Sequence, residues 1–513
     1  MITKISKLFT LLLLFVVGLT SCSDDANDIN YYGYVTLQKT GVFFENWGDT
    51  QTTTFTLDNV AYLEINQSNI EDWTGDTDEE SWKVEIEFYK GLVTITAPTK
   101  EGLTQEGESN QLVEISLKGE THDGYSIYKT ITVGVVPFVY IDADLDMQAN
   151  SMIITEPGNF YIFNPSYKGE DRTQTLGVVD DCRLIWKDYS CSINHVQMIS
   201  STEVGFYADY DEYDADDDDI EDDIIEGNGV IAALNSSGDV VWSWHIWVID
   251  EDPTDPSRTV SLNGKTWMDR NLGAKLNSIE SDTVVLESYG LYYQWGRKDP
   301  FIQPILYNAS GGYDDVMVDY QSSGVSITYD ESDSDIGTVK YAIENPLTYI
   351  YAEEDGDSSY DWLYRTHDKT LWSDDTKSIY DPSPKGWRIP RSTDFVGLEL
   401  DYFPPAGTYA DASYGAYIKD SYGNSELFMG LGRRTYITGR ISNVNTDYYS
   451  LAPWSAFYWT SGADDDSNKA ICFRFDNASD DEAVLASGKD YFFETQHENQ
   501  RANGMQIRCV KDE

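Results

Sequence analysis

Between Tyr31 and Pro137 the chain alternates apolar and polar residues, in Val35-Thr36-Leu37, Thr53-Thr54-Phe55-Thr56-Leu57, Lys83-Val84-Glu85-Ile86-Glu87, Leu92-Val93-Thr94-Ile95-Thr96 and Val113-Glu114-Ile115-Ser116-Leu117. Successive side chains of a strand point to opposite faces, so a period of two gives every such segment one oily and one wet face. Turn residues such as Lys90-Gly91 and Gly107 separate the segments. In water, several strands of this kind bury their oily faces by stacking as two antiparallel sheets. Residues 31–137 are therefore expected to form a β-sandwich module, and no helical stripe of comparable length competes with it. Composition matters here only as support: 37 Tyr and 14 Trp in 513 residues are too much ring surface for a disordered acidic chain.

The first module reads as immunoglobulin-like. A second β-rich stretch, residues 138–252, is expected to form another sandwich. It ends in Val240-Val241-Trp242-Ser243-Trp244-His245-Ile246-Trp247-Val248, where Trp242, Trp244 and Ile246 share one face and Val241, His245 and Trp247 the other. A strand apolar on both faces is a buried strand, so these rings read as filling rather than as a binding platform. Pro253 and Pro256 then mark a turn-rich linker, and residues 258–513 form a third part with more helix signal, notably Ser392 to Glu399. The fold class expected is mainly β: two N-terminal β-sandwich modules followed by an α+β domain.

The net charge of −54 removes nucleic acid as a partner, because that binding needs clustered Lys and Arg. Twelve of the eighteen residues from Asp209 to Glu226 are acidic, which reads as a solvated hairpin tip. A better calcium candidate lies where Gly356 permits a turn and Asp355, Asp357 and Asp361 can converge. No other cofactor is indicated, since the five His are scattered without zinc-ligand spacing. Cys182 and Cys191 are nine apart, a spacing a hairpin could close, and Cys472 and Cys509 both lie in strand-like runs; disulfides and buried free thiols are both open readings.

Lys4 and Lys7, the apolar run Leu11–Val17 and Leu19-Thr20-Ser21-Cys22 make residues 1–21 a signal peptide. The last four resemble the lipobox of bacterial lipoproteins, which implies that Cys22 becomes the acylated first residue. Ser23, Asp24 and Asp25 resemble the acidic export signal of Bacteroidetes surface lipoproteins, which implies an outer-membrane protein facing the cell exterior, with residues 22–30 as its tether. Cleavage would take the net charge to −54 − 2 = −56.

Five blocks of the third part, in order, carry a second resemblance: Asn263-Gly264-Lys265-Thr266-Trp267-Met268-Asp269-Arg270-Asn271-Leu272-Gly273-Ala274, Gly290-Leu291-Tyr292-Tyr293-Gln294-Trp295-Gly296-Arg297, Tyr380-Asp381-Pro382-Ser383-Pro384-Lys385-Gly386-Trp387-Arg388-Ile389-Pro390, Tyr458-Trp459-Thr460-Ser461 and Ile507-Arg508-Cys509-Val510. They resemble the Fibrobacter succinogenes major paralogous domain, which implies a C-type-lectin-like fold for residues 258–513. The family usually has Cys at the position of Ser383, bridged to that of Cys509, so the resemblance leaves Cys472 as the expected partner of Cys509. The lectin calcium motif is missing, since Glu344-Asn345-Pro346 has its residues in the wrong order. The expectation is a non-enzymatic surface lipoprotein acting as an adhesin or ligand-binding protein, associated with fimbrial subunits, that binds a glycan or protein on host, matrix or neighbouring cells. A glycan-binding or glycan-processing component, or a structural spacer, is the alternative. Tyr292, Tyr293 and Trp295 are the ligand-contact candidates.

Overall fold

The computed structural model describes residues 33–68, 73, 79–99, 112–141, 149–189, 191–210, 224–280, 287–302, 306–307, 313–314, 317–318, 324–352, 360–404, 414–430, 432–442, 455–463, 468–476 and 491–513. The acylation residue Cys22, the export residues Ser23, Asp24 and Asp25, the calcium candidates Asp355 and Asp357, and most of the acidic run lie outside them. The chain separates into two compact units, 1–138 and 139–513.

The first unit is a two-sheet sandwich. Strands β1 (Tyr34–Leu37), β3 (Thr50–Asp58), β6 (Leu92–Thr96) and β5 (Lys83–Glu87) form one sheet in that order; β2 (Gly41–Phe44), β8 (Ser126–Val135), β7 (Val113–Thr121) and β4 (Val60–Ile65) form the other. All neighbours are antiparallel except β2 and β8, which run parallel. Burial follows the period of two read from the sequence: in β7, Val113, Ile115, Leu117, Gly119 and Thr121 are buried and the residues between them are not. Trp73, Trp82, Phe44, Phe55, Ile95 and Ile131 fill the space between the sheets, a core with no charged side chain.

The second unit opens with another sandwich. One sheet contains β10 (Ser151–Ile154), β18 (Val240–Val248), β17 (Gly227–Leu234) and β14 (Asp181–Asp188); the other contains β15 (Ile193–Ser200), β16 (Glu203–Ala208), β11 (Phe160–Phe163) and β9 (Phe138–Tyr140). Between them pack Cys182, Leu184, Phe163, Phe206, Trp242, Trp244 and Ile246. A bulge in β14 between Leu184 and Trp186 shifts the alternation by one, so that Leu184 stays in this core while Trp186 turns to the opposite face. There Trp186, Val230, Trp247 and Ile249 meet Met268, Leu272, Tyr293 and Trp295 in a second core.

Thus the sequence stretches on either side of the Pro253–Ser257 turn are packed as one body. Asp252 and Asp255 do form the expected turns, accepting the backbone N–H of Thr254 and Ser257 through their carboxylates. Yet strand Met317–Val318 joins the β14 edge of the sheet, and Pro384 bridges Ser151 at the β10 edge. Both open edges are covered by segments that follow the linker, which removes a template for edge-to-edge pairing.

The remainder of residues 258–513 is built from short strands and turns around large rings. Trp267, Trp295, Trp387 and Trp459 are all buried. Two of their indole N–H groups tie distant segments together, Trp295 donating to Thr460 O (3.0 Å) and Trp459 to Tyr293 O (2.8 Å), while Trp267 donates locally to Leu262 O (3.0 Å). A buried indole needs such a partner, and a loop-rich chain gains a cross-tie from each distant one. The helix expected at Ser392–Glu399 is instead a run of turns. Asp394 gives its carboxylate to Arg388 (2.7 Å) and the Arg391 N–H (2.8 Å), and Gly397 takes φ +93°, which an α-helix cannot accommodate. Phe395 and Leu398 are nevertheless core residues. A six-residue α-helix lies at Val339–Glu344, with the Thr338 hydroxyl accepting the Tyr341 N–H at its start.

Candidate functional site

The residues singled out as ligand contacts are interior. Tyr292, Tyr293 and Trp295 have no exposed surface. Tyr292 exchanges backbone hydrogen bonds with Phe301, and Arg501 lies over the Trp295 ring at 4.6 Å. The short strand Tyr293–Gln294 pairs inside the fold with Gly504–Met505, so ring-rich sequence here marks packing, and the binding role is withdrawn.

Asp361 is likewise committed inward. It is fully buried, with Oδ1 accepting the Leu363 N–H (3.1 Å) and Oδ2 facing His367 Nδ1 (3.0 Å) and Arg501 Nη1 (3.7 Å). Among the described residues no three acidic, His or Cys side chains come together as a metal set.

Neither expected disulfide exists: Cys182, Cys191, Cys472 and Cys509 are free and buried. The hairpin that would have joined Cys182 to Cys191 is replaced by the continuous strand β14, and extended chain at about 3.3 Å per residue carries the two thiols apart. Cys472 Sγ faces Asn499 Nδ2, while Cys509 Sγ lies 3.3 Å from Ser383 Oγ. Burial raises the Cys191, Cys472 and Cys509 thiols to about 12, so none is an activated nucleophile.

A chain of buried polar groups passes through the second unit, none of it foreseen beyond the burial of His245. Asn228 Nδ2 donates to Asp188 Oδ2 (3.0 Å) and to Gly273 O (3.0 Å), which leaves its Oδ1 to accept from His245 Nε2 (2.9 Å). His245 Nδ1, left without a proton, faces Ser151 Oγ at 2.8 Å, and Pro382 O lies 2.6 Å from the same hydroxyl. Beside it, Lys298 Nζ binds Asp299 Oδ1 (2.6 Å) and Ser243 O (2.9 Å), all three residues being buried. The connectivity Ser–His–Asn is that of a nucleophile, its base and an orienting group. Here, however, the single Ser151 proton lies between two acceptors, His245 Nδ1 and Pro382 O, the serine is 2% exposed, and burial pushes His245 down to about 3. The network joins the sandwich to the segments that follow it.

Chemistry facing solvent is found elsewhere, on the sheet of Glu399–Tyr402, Gly415–Lys419 and Ser425–Met429. Ala416, Ile418 and Phe428 bury its inner face. A bulge between Leu400 and Tyr402 breaks the alternation, so that the consecutive residues Asp401 and Tyr402 both serve the outer face. Tyr402, 49% exposed, stacks on Tyr417 with ring centres 4.7 Å apart and planes 12° apart. Next to the pair, Asp401 accepts from Lys419 Nζ (3.1 Å) and Ser425 Oγ (2.9 Å). The Lys419 bond first, then that of Ser425, holds the Asp401 carboxyl below its usual range. Tyr422, 80% exposed, sits on the hairpin turn joining the last two strands. One exposed ring face beside a fixed carboxylate, an ammonium and a hydroxyl suits a ligand with both C–H faces and hydroxyls. No run of rings marks these tyrosines in the sequence; the bulge that aims Asp401 and Tyr402 together is a tertiary feature.

Two clefts, of about 420 Å³ beside Arg183, Leu234 and Glu344 and about 350 Å³ beside Tyr140, Asp252 and Lys385, flank the second sandwich. No described helix is long and apolar enough to cross a membrane.

No family model and no curated protein matches the chain. Solved structures similar to parts of it include the BIgI domain of beta protein from S. agalactiae bound to CEACAM1, at 15% identity over 20% of this chain and 94% of that one, with a TM-score of 0.15. The periplasmic chaperone SfaE is similar at 11% identity over 42% of this chain and 100% of that one, with a TM-score of 0.19, and fibronectin(III)-like modules of Clostridium thermocellum CbhA at 12% over 42% and 93%, with a TM-score of 0.12. Overlap at these scores carries no argument about ligand or activity, and the β-sandwich architecture rests on the strand registers themselves.

Proposed function

We propose that the chain is a non-enzymatic, lipid-anchored surface protein that binds a saccharide on its C-terminal part. The observation that carries the reading is the outward Tyr402–Tyr417 stack beside Asp401, Lys419 and Ser425. A ring face covers the C–H face of a sugar, and charged groups already held in place accept and donate to its hydroxyls without being ordered anew. The lipobox at Cys22 and the acidic residues after it support display at the outer membrane, with the C-terminal part a C-type-lectin-like domain of the Fibrobacter succinogenes type. In that setting the protein is an adhesin for glycans of host, matrix or neighbouring cells, with fimbrial subunits as assembly partners. The excess of carboxylates favours neutral or cationic sugars over sulfated ones.

A glycan array probed with residues 23–513, paired with hydrolysis assays on the bound sugars, tests the proposal. Binding without turnover that is lost in Tyr402→Ala supports it. Turnover, or binding indifferent to Tyr402, contradicts it.

A further inference from the structure

At the corner where β14 passes into β15, three side chains come together that the proposed binding face does not use. Lys187 Nζ is buried and lies 3.2 Å from the side-chain oxygen of Asn194; the side-chain nitrogen of the same amide lies 3.2 Å from Asp209 Oδ2. Backbone carbonyls of Cys191 (2.7 Å) and Ile193 (2.9 Å) hold the Lys187 nitrogen in place. Asn194 is presented by irregular backbone: the ladder between β15 and β16 slips between Asn194 and Gln197, and His195 takes φ 52°. Such departures are paid for only where the surrounding structure demands them.

The geometry points to an intramolecular isopeptide bond between Lys187 and Asn194, formed with Asp209 as the proton carrier. An amine in van der Waals reach of a fixed amide carbon is a reactant at very high effective concentration. Burial lowers the Lys187 ammonium toward the free amine, against the charge of Asp209 that favours the cation. The Asp209 carboxylate takes one proton from the ammonium, and the lone pair so freed attacks Cγ of Asn194. Asp209 passes that proton to Nδ2, then accepts the second Nζ proton as the Cγ–Nδ2 bond breaks. One Nζ–Cγ amide bond forms, one Cγ–Nδ2 bond is lost, ammonia leaves, Asp209 ends protonated, and nothing is oxidised or reduced. The product ties β14 to β15, strands of opposite sheets, by a bond that neither reductant nor unfolding releases.

Peptide mapping of the denatured, reduced full-length protein after trypsin tests this without any variant. A cross-linked Lys187 resists cleavage, so Leu184–Arg258 is expected as one peptide, lighter than its sequence by about 17 Da, the mass of ammonia. Asn194→Ala and Asp209→Ala are expected to return that mass deficit to zero and to restore cleavage after Lys187. Recovery of Asp188–Arg258 at full mass from the wild-type chain, or with Asn194 simply deamidated, overturns the inference.

Discussion

The two sandwiches use the same strand pattern and differ in what they bury. In residues 33–138 the space between the sheets holds apolar side chains with Thr53 and Thr121 but no buried charge, and hydrogen-bonding side chains such as Asn66 with Ser116 are only partly buried. In residues 139–513 one sheet has a second buried face, and that face carries His245, Asn228, Asp188 and Ser243, with Lys298 and Asp299 packed against it. An apolar core stabilises by area and tolerates imprecision, whereas a buried polar network stabilises only when its members are satisfied. The first unit is therefore expected to fail gradually under substitution and the second abruptly.

Removing a ring that also ties carbonyls is the hardest test of that contrast. Trp295→Ala is expected to cost about 3–5 kcal/mol, and Trp295→Phe, which keeps a ring but orphans Thr460 O, about 1–3 kcal/mol. Ile115→Val in the first unit should cost only about 0.5–1.5 kcal/mol, as read by denaturant melts. A disulfide engineered by Ser383→Cys opposite Cys509 should stabilise the second unit by about 2–4 kcal/mol under oxidising conditions, with no effect when reduced.

Asn228→Ala is expected to cost about 1–3 kcal/mol, because Asp188 and His245 each lose a buried partner. Asn66→Ala, at the surface of the first unit, should stay within about 0.5 kcal/mol.

Acid should separate the units further. His245 is held near 3 by burial, below its unfolded value, so the unfolded chain takes up a proton that the folded chain refuses. Its contribution is neutral above roughly pH 6.5 and turns destabilising as pH falls from there toward 3, by up to about 1.4 kcal/mol per pH unit. The one histidine among the described residues of the first unit, His122, is exposed. Calorimetry should therefore show the transition of the second unit falling first between pH 6.5 and 4, and His245→Gln should reduce that slope without abolishing it, because burial also holds His195 down to about 4.

The contrast also explains what was legible in the sequence. Period-two alternation is local, so β7 and the buried strand at Trp242–Val248 could be read from the residues alone. The rest depended on partners far away in sequence. Nothing near Tyr292 or Trp295 says that Trp459, Arg501 and Gly504–Met505 pack against this segment, and nothing near Asp401 announces the bulge that aims it outward with Tyr402. Ser392–Glu399 has a helix's apolar spacing, but Asp394 is taken by Arg388 and Gly397 sits in the left-handed region.

The smallest structural change proposed has the most direct functional reading. Tyr402→Ala removes a half-exposed ring and should leave folding stability within about 0.5 kcal/mol of wild type. Titration calorimetry of wild type and Tyr402→Ala with the best sugar from the array is the decisive measurement. The variant's Kd is expected to be at least tenfold weaker, the loss of about 1.4 kcal/mol expected when a stacking ring goes. Equal affinity for the two proteins would contradict the proposed binding site.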